Sequence, residues 1–296
     1  MNKFKRALSK FLLVIPDKLY LRIAFRIKVR EKMDFKNPIT FNQKLQWLKV
    51  YNRKSIYSSL VDKYEVKKYV SRIVGEDIVI KTIGIYDKFE DIDFSTLPNQ
   101  FVIKCTHDSG SVIICRNKSA FSVSDCKKRI VFAQKHNLYS YNREWVYKNV
   151  RPRILIEEYM EDNNQKSLTD YKFFCFNGEP RFLYVSTGLE NHATATISFL
   201  NLDWSFSKYE REDFEQYKTL PARPQCYSQM IEIAKTLSTG MPFVRVDLYE
   251  INGHVYFSEL TFFPWSGFRR FKNKDHDVEI GKMLILPRKE EKQKGQ

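Results

Sequence analysis

The chain is poor in the residues that build fibrous or low-complexity proteins, with only 10 Gly and 10 Pro among 296 residues. No internal repeat and no Gly/Pro-rich linker runs through it, which excludes collagen-like and tandem-repeat architectures. Its five cysteines (Cys105, Cys115, Cys126, Cys175 and Cys226) are odd in number and contain no C-x-x-C. They read as reduced, mostly buried thiols of a cytosolic protein rather than a disulfide framework or a zinc site. No apolar run approaches the roughly 18 residues a membrane span needs. The short stretch Phe11–Ile15, followed by Pro16-Asp17-Lys18, lacks the length and the cleavage site of a secretory signal. The expectation is a cytoplasmic chain, bound to a membrane peripherally if at all. A Walker A ending, a convincing D-x-D motif and RNP, KH or zinc-finger patterns are all missing, which disfavours P-loop, nucleotide-sugar and nucleic-acid classes.

Aromatic residues are abundant. Hydrophobic residues make up 43%, including 23 Phe, 17 Tyr and 4 Trp, enough for a sizeable core and incompatible with global disorder. At roughly 100–200 residues per domain, the length allows one large domain or two to three modest ones. Charge is lopsided, with 50 Lys+Arg against 35 Asp+Glu and a formal net of +15. Such an excess suits a polyanionic partner, so its location matters. Residues 1–30 hold nine cations and one acid, Asp17, for +8; residues 287–296 add +2, leaving +5 for all the rest. The basic charge is therefore terminal, and nucleic acid is an unlikely partner. Within the first segment Phe4, Leu8, Phe11, Leu12 and Ile15 recur at helical spacing, as do Leu19, Ile23 and Ile27 after Pro16. This basic amphipathic segment suits either an anionic membrane surface or packing on the body of the protein.

Along the chain, Thr40-Phe41-Asn42-Gln43 reads as a capping box opening a helix with Phe41, Leu45 and Leu48 on one face. Ser59–Val70, Ser124–His136 and Gln229–Ser238 read as further helices. Strands are expected at Ile78–Ile80, Phe101–Cys105, Val112–Cys115, Arg153–Glu157, Tyr171–Phe176, Arg181–Ser186 and Ala195–Leu200, with a last hairpin over Phe243–Phe263 around Asn252-Gly253. Mixed helices and mostly antiparallel strands give an α+β class.

That hairpin carries two carboxylates, Asp247 and Glu259, with Arg245 and Thr261 two residues from each. Mg2+ is commonly held by one or two carboxylates and substrate phosphates, so the set suits a metal–nucleotide site. A strict two-residue loop would set Asp247 opposite Ser258 and turn Glu259 to the other face. One extra residue aligns Arg245, Asp247, Glu259 and Thr261 and gathers Val246, Leu248, Tyr256, Leu260 and Phe262 on the opposite side. The sorting predicts a three-residue or bulged turn with Gly253 at positive φ. Lys104 ends an apolar strand and is followed by the small-residue turn His107-Asp108-Ser109-Gly110-Ser111, whose amides suit phosphates. The strand Arg153–Glu157 ends in acids, Glu157 and Glu158, before Tyr159. Asp170 and Lys172 share one strand face, as a ribose hydroxyl and a phosphate would require.

In this order the signals resemble the ATP-grasp fold, and the wider sequence resembles its bacterial TupA-like branch of cell-surface polysaccharide biosynthesis proteins. The likeness runs from about Asn37 to about Phe271. It is carried by Thr-Phe-Asn-Gln-Lys-Leu-Gln-Trp-Leu-Lys, Leu-Val-Asp-Lys-Tyr-Glu-Val, Leu-Pro-Asn-Gln-Phe-Val-Ile-Lys-Cys-Thr-His-Asp-Ser-Gly, Asp-Tyr-Lys-Phe-Phe-Cys-Phe-Asn-Gly-Glu-Pro, Phe-Val-Arg-Val-Asp-Leu-Tyr and Glu-Leu-Thr-Phe-Phe-Pro-Trp-Ser-Gly-Phe. The resemblance implies two α+β subdomains with mainly antiparallel sheets clasping ATP. It divides the chain into a basic amphipathic segment (1–36), a helical or α+β N-terminal region (37–98), a small subdomain (99–156), a large subdomain (157–286) and a basic tail (287–296).

It further implies that Lys104 reaches the α/β-phosphates and that His107, Ser109, Gly110 and Ser111 form the loop over them. Glu157, Glu158 and Tyr159 form the adenine hinge, Asp170 takes ribose, and Lys172 faces the phosphates. Arg245 steadies the phosphoryl group, and Asp247, Glu259 and Thr261 lie at Mg2+. Many ATP-grasp enzymes have Asn where this chain has Thr261, a poorer ligand. The implied reaction is ATP-dependent ligation of a carboxylate and an amine through an acyl phosphate, here between a small amine or amino acid and a carboxylate on a capsule, O-antigen or teichuronopeptide-like sugar. Trp265, Ser266, Gly267, Arg269 and Arg270 are the acceptor candidates, the paired arginines suiting a carboxylate. Phosphoryl transfer to a sugar hydroxyl, and glycosyl transfer, are the alternatives.

Overall fold

The computed structural model describes residues 13–163, 167–188, 196–211 and 214–288. Helix α1 (Asp17–Lys28) leads to α2 (Phe41–Tyr51), α3 (Ile56–Val61) and α4 (Glu65–Ile73). Strands β1 (Thr82–Tyr86), β2 (Phe101–Cys105) and β3 (Ile113–Cys115) precede α5 (Val123–Gln134), α6 (Leu138–Asn142) and β4 (Ile154–Glu158). Then come β5 (Asp170–Phe176), β6 (Glu179–Thr187), β7 (Thr196–Asn201), α7 (Tyr227–Ser238), β8 (Phe243–Ile251), β9 (His254–Thr261) and α8 (Lys274–Met283). Two antiparallel sheets result, a four-stranded one ordered β1-β4-β2-β3 and a five-stranded one ordered β7-β6-β5-β8-β9.

Each sheet has its own core. Phe89, Phe101, Ile103, Ile130 and Ile156 fill the smaller one under α5. In the larger sheet the alternation of each strand sorts two faces. Phe173, Cys175, Val244, Val246 and Leu248 are buried on the side where α7 packs. At one end of the other face Phe174, Phe176 and Phe243 meet Phe41 of α2, with Phe182 and Phe199 packed beside them. Opposite that aromatic end, the same face turns polar.

The hydrogen-bonding chemistry of single residues explains where expected elements shift. Thr40 accepts from the Gln43 amide while the Gln43 side chain accepts from the Thr40 amide, so the capping box forms. The helix expected over Ser59–Val70 is broken at Asp62, which leaves the helical region (ψ 116) and accepts from the Tyr64 and Glu65 amides at 2.8 and 3.1 Å, starting α4. Ile78–Ile80 is not a strand of the smaller sheet. Ile78 is buried in the larger core and its carbonyl accepts from the Phe257 amide at 2.7 Å, so the strand proper begins at Thr82. The strand expected from Ala195 is described only from Thr196, since 195 lies outside the described residues.

Helix α1 settles against the body by a face other than the one its spacing suggested. Leu21, Ala24 and Phe25 are buried, whereas Leu19, Ile23 and Ile27 are exposed. The rest of that amphipathic reading, residues 1–12, and most of the basic tail, 289–296, lie outside the described residues. No helix among the described residues is long and apolar enough to cross a membrane. All five cysteines are free and four of them buried.

Candidate active site

The hairpin β8–β9 delivers the carboxylates by a different route from the one expected. Its loop is a strict two-residue turn, Ile251 pairing with His254, with both Asn252 (φ 52) and Gly253 (φ 76) left-handed. The even register comes from a bulge farther up the strands: Leu248 pairs with Phe257 but Asp247 with Glu259, leaving Ser258 as the extra residue. Above the bulge Arg245 faces Thr261 and Val246 faces Leu260. Below it, Phe257 takes the core position opposite Leu248, and Tyr256 pairs with Tyr249 on the polar face instead of joining the core.

Asp247 is fully buried and accepts from Arg245 Nε and Nη2 at 2.7 and 2.6 Å and from Lys172 Nζ at 3.0 Å. Arg245 Nη2 also donates to Glu259 Oε1 at 3.1 Å and Thr261 Oγ1 at 3.0 Å, and Lys172 Nζ donates to Asp170 Oδ1 at 2.7 Å. Two cations thus interleave with three acids on one face. Burial pushes the Asp247 carboxyl up against the pull of Arg245 and Lys172. At Glu259 burial also pushes up, but Arg245, Lys63 and Lys172 outweigh it and hold the carboxyl at about 2. Glu259 keeps 38% of its side chain in contact with solvent, so an incoming cation can reach it. The acids in turn raise Lys172 and Arg245 despite burial. Among the described residues no three His, Cys, Asp or Glu cluster as a metal cage. Two hard carboxylate donors fit Mg2+ that completes its shell with phosphate and water, and fit a softer metal poorly.

The smaller sheet carries a second charged cluster. Glu157, buried on β4, is ion-paired to both Lys104 of β2 and Lys67 of α4. Burial raises its carboxyl, yet the two lysines prevail and hold it below its ordinary value. Its side chain is therefore engaged by the two lysines. Glu158 is exposed, and the Tyr159 hydroxyl accepts from Arg116 Nε at 3.2 Å. In the turn after β2, Ser109 and Gly110 are exposed, with Gly110 at φ 106 and open space about it. Ser111 Oγ accepts from the Cys105 amide and donates to Asp108 Oδ1, both at 2.7 Å. His107 is buried with Nε2 donating to the His136 carbonyl at 3.0 Å, so its role is to anchor the turn.

Two lysines went unassigned in the sequence. Lys63 donates its ammonium to the Asp108 carbonyl and its amide to the Thr106 carbonyl at 3.0 Å, tying the phosphate-type turn to the start of α4. Its charge also helps to lower the Glu259 carboxyl. Lys67 additionally donates to the Ile80 carbonyl at 2.6 Å and Thr82 Oγ1 at 3.1 Å. The available signal was their four-residue spacing in Leu-Val-Asp-Lys-Tyr-Glu-Val-Lys.

The acceptor candidates after β9 separate. Trp265, Ser266 and Gly267 are left-handed in succession (φ 51, 57 and 61). The Ser266 carbonyl accepts from the buried Lys49 at 2.8 Å and from Gln46 at 3.0 Å, and its hydroxyl donates to Glu144. A Cβ at Gly267 would stand 2.4 Å from Gln46 Nε2 and 2.9 Å from Leu45 Cβ. Ser266 and Gly267 are thus buried against α2. Trp265 is half-buried and stacks on Tyr184 (centroids 6.1 Å, 18°), over whose ring Arg245 also lies at 5.5 Å. Arg269 is exposed and Arg270 half-buried.

A family model described as TupA-like ATPgrasp matches residues 43–285. No curated protein matches the chain. Among solved structures, it is similar to the ATP-grasp ligase PsnB complexed with minimal precursor, at 12% identity and TM-score 0.38 over 74% of this chain and 58% of that one. It is also similar to D-alanine–D-alanine ligase from Bacillus anthracis complexed with ATP, at 15% identity and TM-score 0.38 over 74% of this chain and 57% of that one. VanG D-Ala:D-Ser ligase from Enterococcus faecalis matches at 14% identity and TM-score 0.43 over 80% of this chain and 58% of that one. The chain thus spans under three fifths of the length of each.

Proposed function

The chain belongs to the TupA-like ATP-grasp family, and on that premise we propose that it is an ATP- and Mg2+-dependent carboxylate–amine ligase of surface-polysaccharide biosynthesis, working in the cytoplasm. The observation that carries the proposal is the single-face alignment of Lys172, Arg245, Asp247 and Glu259, together with the Lys67–Glu157–Lys104 cluster and with Lys63, whose charge acts on Glu259. Asp247 and Glu259 would hold Mg2+, with Thr261 beside them, and the metal would supply positive charge to the transferring phosphoryl group. Lys104, Lys63 and the Ser109–Ser111 amides bind phosphate oxygens, Asp170 takes ribose hydroxyls, and the backbone after Glu157 reads adenine.

An acceptor carboxylate oxygen attacks the γ-phosphorus and ADP leaves. Arg245 and Lys172, whose charges the surrounding acids fix, stabilise the charge spreading over the transferring phosphoryl group. The amine then attacks the acyl phosphate, losing a proton and expelling phosphate. The acceptor lies beside Arg245, on the side of Trp265, Arg269 and Arg270. An aromatic ring next to arginines suits a carboxylate-bearing sugar such as a uronic acid, and the amine is a small molecule or amino acid. An ADP-release screen of amino acids against uronic acids, with mass spectrometry of products, tests this: an amide supports ligation, a phosphorylated sugar replaces it with kinase chemistry, and silence to ATP with binding of UDP-sugars replaces it with glycosyl transfer.

A further inference from the structure

Helix α1 is held by one face and shows the other. Leu21, Ala24 and Phe25 sit in the main core, while Leu19, Ile23 and Ile27 stand 49%, 48% and 70% exposed at i, i+4 and i+8. Leu13 and Val14, just before the helix, are 44% and 81% exposed. Lys18, Arg22 and Arg26, each one residue before a member of the apolar row, are exposed as well. The helix's one acid, Asp17, is withdrawn from this face by Arg143 at 3.0 Å, Arg53 at 2.6 Å and the Tyr139 hydroxyl at 2.8 Å. An apolar row beside an unbroken cationic row remains.

We propose that this face of α1 seats the protein on an anionic lipid surface, with Leu19, Ile23 and Ile27 entering the boundary between headgroups and acyl chains and Lys18, Arg22 and Arg26 at the lipid phosphates. Charge complementarity selects lipid. A second copy would set the same cations against each other across a two-fold axis. Residues 1–12 carry Lys3, Lys5, Arg6 and Lys10 with no acid, so they would meet the same repulsion. A nucleic acid would use the cations and leave three large aliphatic side chains in water. The inner side of α1 touches the segment after β9: Phe25 lies 6.5 Å from Phe268 and Lys28 Nζ 4.6 Å over its ring. Resting on the ligase reading, this brings the acceptor side of the site within about one helix diameter, ~10 Å, of the membrane, which suits an acceptor carried on a lipid.

The test is co-flotation of the full chain with vesicles of phosphatidylcholine plus phosphatidylglycerol, and of phosphatidylcholine alone, at low and high salt. The wild type should float with the anionic vesicles only. Each of Lys18→Gln, Arg22→Gln and Arg26→Gln should weaken binding about fivefold, and Leu19→Ser/Ile23→Ser/Ile27→Ser together by at least ~10-fold. All variants should stay folded, since the altered side chains are exposed and Lys18→Gln and Arg22→Gln give up only contacts over the Phe35 and Tyr51 rings at 5.6–5.8 Å. A wild type that stays unbound overturns the proposal, as does an apolar triple variant that floats undiminished, or a wild-type dimer that the triple variant dissolves. Stabilisation by ATP–Mg2+ is read in the same samples. Its loss with vesicle binding retained sinks the ligase reading alone, and the converse sinks the membrane contact alone.

Discussion

Replacing Glu157 by Gln keeps the shape of the side chain and removes the charge that two lysines share. In the native protein the carboxylate is 4% exposed, Lys67 12% and Lys104 17%. Removing one partner of a buried ion pair costs about 3–5 kcal/mol. Lys67 retains the Ile80 carbonyl and Thr82 hydroxyl, and both lysines reach some water, so the lower end, about 3 kcal/mol, applies. At ~2–4 °C per kcal/mol the melting temperature should fall by about 6–12 °C at neutral pH. The pH dependence has a definite sign. The folded pKa of Glu157 is depressed, so its contribution is present above the ordinary carboxylate range and disappears as pH falls through the folded value. The gap between wild type and variant should close in acid. Differential scanning fluorimetry with and without ATP–Mg2+ adds a discriminating arm. Phosphate oxygens replace the missing charge beside Lys104, so the nucleotide should stabilise Glu157→Gln by more than it stabilises the wild type. A variant melting with the wild type would refute the burial argument, and a smaller nucleotide shift would mean that the carboxylate itself contacts nucleotide.

Other outcomes follow from the same contacts. Asp247→Ala should abolish Mg2+-dependent ATP binding by calorimetry and cost about 3–5 kcal/mol of stability, because Arg245 and Lys172 are left buried without their acid; Glu259→Ala should abolish the same binding. Lys63→Met should speed hydrogen exchange in the 107–111 turn and raise the Glu259 carboxyl above its value of about 2, read by NMR titration, since a tether and a cation are both lost. Burial pushes Asp277, which accepts from the Asn42 amide and side chain at 3.0 and 2.9 Å, up to about 6. With the folded pKa above the unfolded one, its stabilisation is full below about 3.8 and is lost as pH rises through 6. Wild type should therefore lose up to about 3 kcal/mol relative to Asp277→Asn between acid and neutral pH in urea melts.

How far the sequence is legible depends on the range over which each feature is fixed. The capping box at Thr40–Gln43 and the strands around the site are short-range patterns, and they form where expected. The alignment of Arg245, Asp247, Glu259 and Thr261 was readable because the wrong register would bury Glu259. The position of the bulge at Ser258 was not readable, since a bulge in the turn and one in the strand sort the upper residues identically. The break at Asp62 is a local cap onto the Tyr64 and Glu65 amides, while the ion pair that holds the same carboxylate comes from Arg153, far along the chain. The buried face of α1 is equally long-range: Leu19, Ile23 and Ile27 form the better stripe, but Phe268 and the core select Leu21, Ala24 and Phe25. Lys63 and Ser266 illustrate the same limit, one gaining and one losing a candidate role through partners distant in sequence.

On the proposed mechanism, this face passes a phosphoryl group from ATP to a carboxylate before an amine displaces it. The most direct measurement uses an acceptor from the ADP-release screen labelled with 18O in the carboxylate, with mass spectrometry of the released phosphate. One labelled oxygen should appear in phosphate for each amide formed, and none when Arg245→Ala replaces the wild type. Unlabelled phosphate accompanying product, or label retained wholly in the sugar, would contradict the acyl-phosphate route.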